Sequence, residues 1–185
     1  MAKIESVCVF CGSRVGDGPA RRALAAETGR LIAEAGMRTV YGGGHVGLMG
    51  VLADAALEAG GEVIGVIPEF LHEREVMHSG LTELVVTPSM HERKAEMHAR
   101  SDAFLVLPGG IGTLDEVAEA LSWISLDLHR KPVILVDRAF WSPLSHLLSE
   151  MERAGFLSPD LLDDTAFVET AGEALALLAE LGGRD

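Results

Sequence analysis

The chain has 185 residues, of which 48% are hydrophobic and 23% charged, the balance of an ordinary globular protein, so disorder and a collagen-like fibre are excluded. Fifteen Lys and Arg against 28 Asp and Glu give a formal charge of −13, which repels nucleic-acid backbones and anionic membrane surfaces. The length suits one domain, residues 1–185, able to bury roughly two-thirds of its unfolded surface without disulfides or a structural metal.

No run reaches the roughly 18 apolar residues of a membrane span, and Met1–Glu5 lacks a signal-peptide core, which points to the cytoplasm. Strand-length apolar runs fall at Ser6–Phe10, Met37–Tyr41, Val63–Ile67, Glu83–Thr87, Ala103–Leu107, Pro132–Val136 and Ala166–Glu169. Most are continuous rather than alternating, as expected of strands covered on both faces in a parallel sheet. The first run holds Cys8, and Cys11 follows it; this C-x-x-C lies in a strand rather than at a helix start, so both thiols are expected to be inert. Pro19–Ala35 has a helical period, with Leu24, Leu31, Ile32 and Ala35 on its apolar face and Gly36 as its stop. Pro68–Leu81 is irregular, a loop of a length that often carries function. Val117–Leu128 is an apolar helix, either core or subunit interface. The alternation predicts an α/β fold, a Rossmann-like doubly wound parallel sheet with helices on both faces.

In such sheets ligands bind beyond the carboxyl ends of the strands, and two junctions there are rich in glycine. One runs Gly42-Gly43-Gly44-His45-Val46-Gly47-Leu48-Met49-Gly50 and the other Pro108-Gly109-Gly110-Ile111-Gly112-Thr113-Leu114-Asp115-Glu116, each leading into a helical pattern. Both free backbone N–H groups to face an anion at a helix N-terminus, which implies a phosphate or carboxylate ligand. Gly42, Gly44 and Gly47 also fit G-x-G-x-x-G, which keeps a dinucleotide-binding oxidoreductase open, although the next strand ends in Ile67-Pro68 without the acidic partner. Thr113-Leu114-Asp115-Glu116 and Ser89-Met90-His91-Glu92 both read as capping boxes, so Glu116 and Arg93 can be explained as helix-start residues or as functional ones. The seven histidines contain no H-E-x-x-H pair, and no metal site is expected.

Taken together and in order, YGGGHVGLMG, MHERKAEM and PGGIGTLDE, with CVFCGS and VIGVIP, resemble the Lonely Guy family of cytokinin-activating phosphoribohydrolases, many of them mislabelled lysine decarboxylases. The resemblance spans about Cys8 to Phe156. It implies a Rossmann-like homodimer that hydrolyses the N-glycosidic bond of nucleoside 5′-monophosphates without a cofactor. By position it implies Arg93 and Glu116 as the catalytic pair. Substrate contacts are implied at Glu75, at Arg93 with Lys94, along Gly109, Gly110, Ile111, Gly112, Thr113, Leu114, Asp115 and Glu116, and at Ser122, with Gly43 and Gly44 expected from the first loop. His45 stands where the family commonly has a small polar residue. Relatives with this fold also suggest a molybdenum cofactor carrier as an alternative, whereas a pyridoxal phosphate enzyme has only Lys94 to offer among Lys3, Lys94 and Lys131.

The residue types suit the chemistry. Cleaving a bond between an anomeric carbon and nitrogen builds oxocarbenium character, which a carboxylate stabilises while it activates water. A guanidinium can hold substrate oxygens or the departing base without losing its proton. A phosphate on the second glycine loop supplies binding energy remote from the reacting bond, so nucleosides are expected to be poor substrates.

Overall fold

The computed structural model describes residues 3–72 and 77–183. Strands β1 (Ser6–Phe10), β2 (Arg38–Tyr41), β3 (Val63–Pro68), β4 (Glu83–Thr87), β5 (Ala103–Val106), β6 (Val133–Val136) and β7 (Thr165–Val168) form one sheet in the order β4-β3-β2-β1-β5-β6-β7. Every pairing is parallel. All seven strands read from apolar runs are present, with ends shifted by a residue or two: Met37 and Leu107 fall outside, and Pro68 falls inside.

Helices α1 (Pro19–Glu34), α2 (Gly47–Glu58) and α8 (Ala171–Gly182) cover one face, and their buried residues join Val7, Val9 and Tyr41 in one core. The opposite core joins Cys8, Phe10 and Phe104 to α4 (Met90–Ala99), α5 (Ile111–Ser125), α6 (Arg138–Arg153) and α7 (Asp160–Asp163). Strands buried on both faces explain the continuous apolar runs. Pro68–Leu81, expected to be irregular, opens with the single turn α3 (Glu69–His72), and Met77 then bridges to Gly44.

Two local expectations are corrected. The buried face of α1 consists of Ala25, Thr28, Gly29 and Ile32, while Leu24 and Leu31 are half-buried and Ala35 is exposed. The cause is close approach of α2: a Cβ on Gly29 would lie 2.2 Å from the Leu52 carbonyl oxygen, so small residues make the contact. The second correction concerns α5, which begins at Ile111 with Gly110 as N-cap, so Thr113 is inside the first turn and Glu116 is too far along to close a capping box. The other box forms in part, since Ser89 Oγ accepts the Glu92 N–H at 3.2 Å. Among the described residues no helix is long and apolar enough to cross a membrane.

Candidate active site

Strand order reverses between β1 and β5, and the segments leaving their carboxyl ends diverge around a cavity of about 570 Å³. Cys11–Gly16 after β1 and Pro108–Thr113 after β5 form its walls, linked by the Gly12 N–H donating to the Pro108 carbonyl at 3.1 Å. Arg93 of α4 and Glu116 of α5 reach the same cavity, which Arg21, Leu71 and Phe140 help to enclose.

Arg93 and Glu116 are 8% exposed each. Arg93 donates through Nη1 to Glu116 Oε1 at 3.1 Å and through Nε to the Val66 carbonyl at 3.1 Å, so its guanidinium is fixed by strand and helix together. A Cβ on Gly42 would lie 2.3 Å from Arg93 Nη2; glycine there lets the guanidinium lie against the backbone after β2. Burial raises the Glu116 pKa above the usual carboxylate range, and the charge of Arg93 restrains that rise. A carboxylate so placed is a better proton acceptor than an exposed one.

Beside this pair lies the start of α5. Gly110 provides no side-chain cap, and the first intrahelical bond runs from the Leu114 N–H to the Gly110 carbonyl. The N–H groups of Ile111, Gly112 and Thr113 therefore have no acceptor within the helix, and all three residues line the cavity. The Thr113 side chain folds back over Gly109, where a Cβ would lie 2.1 Å from its Oγ1. Free amides, a helix dipole and a nearby arginine give this end of the cavity an electrostatic preference for negative charge.

Comparison with known proteins fits this geometry. The family model described as "Possible lysine decarboxylase" matches residues 49–178. A cytokinin riboside 5′-monophosphate phosphoribohydrolase of Rhodococcoides fascians is 49% identical over 157 residues, covering 84% of this chain and 79% of that protein. One of Arabidopsis thaliana is 40% identical over 159 residues, covering 85% and 75%. The chain belongs to the Lonely Guy family. A solved structure of the molybdenum cofactor binding protein of Rippkaea orientalis shares the fold with a TM-score of 0.72 at 26% identity, covering 98% of both chains. The molybdenum cofactor carrier protein of Chlamydomonas reinhardtii, at 23% identity and a TM-score of 0.71 over the full length of both chains, shows the fold alone.

Of the residues expected to act in a Lonely Guy protein, the cavity brings together Arg93, Glu116, Gly109, Gly110, Ile111, Gly112 and Thr113. It does not gather the rest. Lys94 donates to Asp115 Oδ2 at 3.0 Å and reaches Glu119 Oε1 at 3.1 Å, so its charge is spent between α4 and α5. Leu114 and Ser122 are exposed on α5 outside the lining, and Glu75 lies outside the described residues. Gly43 and Gly44 stand behind the cavity: Gly43, at φ +79°, lies against Ile67, and Gly44 bridges to Met77. Gly47, at φ +68°, meets Ser13 so closely that a Cβ would lie 2.2 Å from its carbonyl carbon. The first glycine run therefore serves close packing, and the dinucleotide reading loses its main support. Cys8 and Cys11 are buried in opposite cores, and burial raises both thiol pKa values, as expected of inert thiols. Arg14, Arg21 and Phe140 were not anticipated, although Arg14 follows the carboxyl end of β1 where the strand-end rule directs attention.

Proposed function

We propose that the chain hydrolyses the N-glycosidic bond of nucleoside 5′-monophosphates, AMP and N6-substituted adenosine monophosphates such as cytokinin nucleotides, to free base and ribose 5-phosphate. One observation carries this reading: the buried Arg93–Glu116 pair sits beside an uncapped helix start within one cavity. The 5′-phosphate is held by the amides of Ile111, Gly112 and Thr113, assisted by the Thr113 hydroxyl. That anchor orients the ribose so that its anomeric carbon faces Glu116. As the bond to the base lengthens, the ionised Glu116 stabilises the oxocarbenium charge and draws a proton from the attacking water. Arg93 holds Glu116 in place and offers its remaining N–H groups to substrate oxygens or to the departing base.

The reading includes a single domain over residues 1–185 acting as a cytoplasmic homodimer, with a small nucleotide as its partner rather than nucleic acid or membrane. Ile111, 83% exposed although it lines the cavity, is the kind of side chain that a second copy covers. Incubation with AMP and with N6-isopentenyl-AMP, with products resolved by chromatography, tests the activity. Free base and ribose 5-phosphate are expected, with adenosine a much poorer substrate; no base from either nucleotide refutes the proposal.

A further inference from the structure

Outside the cavity lining, the fold gathers two histidines and a carboxylate that no sequence spacing connects. His45 lies in the loop after β2, Asp54 lies on α2, and His78 follows Met77, which bridges to Gly44. One ligand atom from each lies within 4.8 Å of the other two. The His78 ring is buried, and its Nε2 donates to Asp54 Oδ1 at 2.8 Å, while the Gly80 N–H donates to its Nδ1 at 3.1 Å. The His45 ring meets that of His78 edge-on, with centroids 4.7 Å apart.

We propose that His45, Asp54 and His78 bind one divalent transition-metal ion of the zinc class, at a site outside the cavity. Two imidazoles and one carboxylate favour Zn²⁺, Co²⁺ or Ni²⁺ over Mg²⁺ or Ca²⁺, which prefer oxygen ligands. Zinc–nitrogen bonds of roughly 2.0–2.1 Å in a tetrahedron set ligand atoms about 3.4 Å apart, so no separation need close by more than about 1.4 Å, and the His78–Asp54 contact of 2.8 Å opens by about 0.6 Å. His45 is exposed and can rotate its ring to provide that closure. The ion takes the position of the Nε2 proton between His78 and Asp54. That proton moves to Nδ1, the ring stays neutral, and the Gly80 N–H turns from Nδ1 to water, which its exposed turn permits. The exposed side of the cluster leaves the remaining coordination positions to water.

Such an ion joins three segments that reach toward Arg93. The His78 N–H donates to the Gly43 carbonyl at 3.4 Å, and the neighbouring Gly42 lies against the Arg93 guanidinium. Bound metal thus stiffens the wall behind Arg93 without touching the cavity.

Tag-free protein titrated with Zn²⁺ by calorimetry, and with Co²⁺ by visible absorption, tests the site. One ion per chain is expected, with Co²⁺ ligand-field bands of low coordination number, a raised melting temperature and no competition from Mg²⁺. Because His78 is buried, the exposed residues carry the comparison: His45→Ala and Asp54→Asn are expected to weaken binding about tenfold or more and to abolish the Co²⁺ bands while the circular dichroism spectrum is unchanged. No saturable one-per-chain binding, or equal affinity in the wild type and both variants, overturns the proposal.

Discussion

At Glu116 two influences oppose each other: burial raises the carboxyl pKa, and the Arg93 guanidinium 3.1 Å away restrains the rise. The proposed chemistry needs the ionised form, so activity is lost as pH falls through a value above the ordinary ~4.3 of glutamate. Arg93→Met removes the restraint, and whatever activity remains in that variant is expected to show its acid limb at a higher pH than the wild type. Glu116→Gln keeps the size and a hydrogen-bond acceptor for Arg93 but cannot take a proton, and kcat is expected to fall by ~10² or more. Since Glu116 lies beyond the first turn of α5, this substitution leaves the helix start untouched, and the circular dichroism spectrum is expected to be unchanged. Rate against pH for the three proteins, measured with AMP, checks both expectations; an acid limb of Arg93→Met at or below that of the wild type contradicts the assigned coupling.

Between elements, a second ion cluster joins the two helices that carry the pair. Lys94, adjacent to Arg93 on α4, is held by Asp115 and Glu119 of α5. Burial lowers its pKa, but the hydrogen bonds to the two carboxylates outweigh that and hold it above its usual value. Lys94 therefore links the helices that carry Arg93 and Glu116. Lys94→Met is expected to cost about 1–2 kcal/mol of stability and to reduce kcat with little change in KM, with Lys94→Arg restoring much of the rate. A rise in KM with kcat preserved identifies Lys94 as a substrate contact instead. This strut was not legible in the sequence, because Lys94 and Asp115 are 21 positions apart and only the fold shows them facing. The seven strands were legible because doubly covered strands are continuous apolar runs, whereas the packing face of α1 was not, because Gly29 and Ala25 carry no hydrophobic signal. Arg93 and Glu116 were legible as residue types suited to the reaction. What stayed hidden was the hydrogen bond between them and the hold of the Val66 carbonyl on Arg93, and the capping-box pattern misplaced Thr113 because nothing local marks Gly110 as the N-cap. Arg14, Arg21 and Phe140 come from separate segments that only the tertiary fold brings to one cavity.

For the molecule as a whole, a charge of −13 disfavours polyanions, while Arg14, Arg21 and Arg93 line the cavity at the switch point and concentrate positive charge there. The net charge alone does not decide how the protein responds to acid; buried groups do. His98 lies among Phe10, Phe104, Trp123 and His129, is 3% exposed, and its Nδ1 is buried without a hydrogen-bond partner among the described residues. Burial first, then the charges of His129, Lys131 and Lys94, lower its pKa to about 3. The unfolded chain takes up a proton near pH ~6.5 and the native state does not, so the stability this ring contributes is complete above that pH and is lost as pH falls toward 3. By pH ~5 the loss from this one group is about 2 kcal/mol. Glu116 has the opposite sign, because its raised native pKa favours the folded state as pH falls, so a clean comparison uses two proteins that both keep it. His98→Phe places an apolar ring in the same aromatic surroundings and removes the proton-binding site. Urea unfolding of the wild type and this variant between pH ~7 and ~5 is expected to show the stability gap widening in favour of His98→Phe by roughly 1–2 kcal/mol as pH falls. A gap independent of pH means that His98 is protonated in the folded protein and that the acid response lies elsewhere.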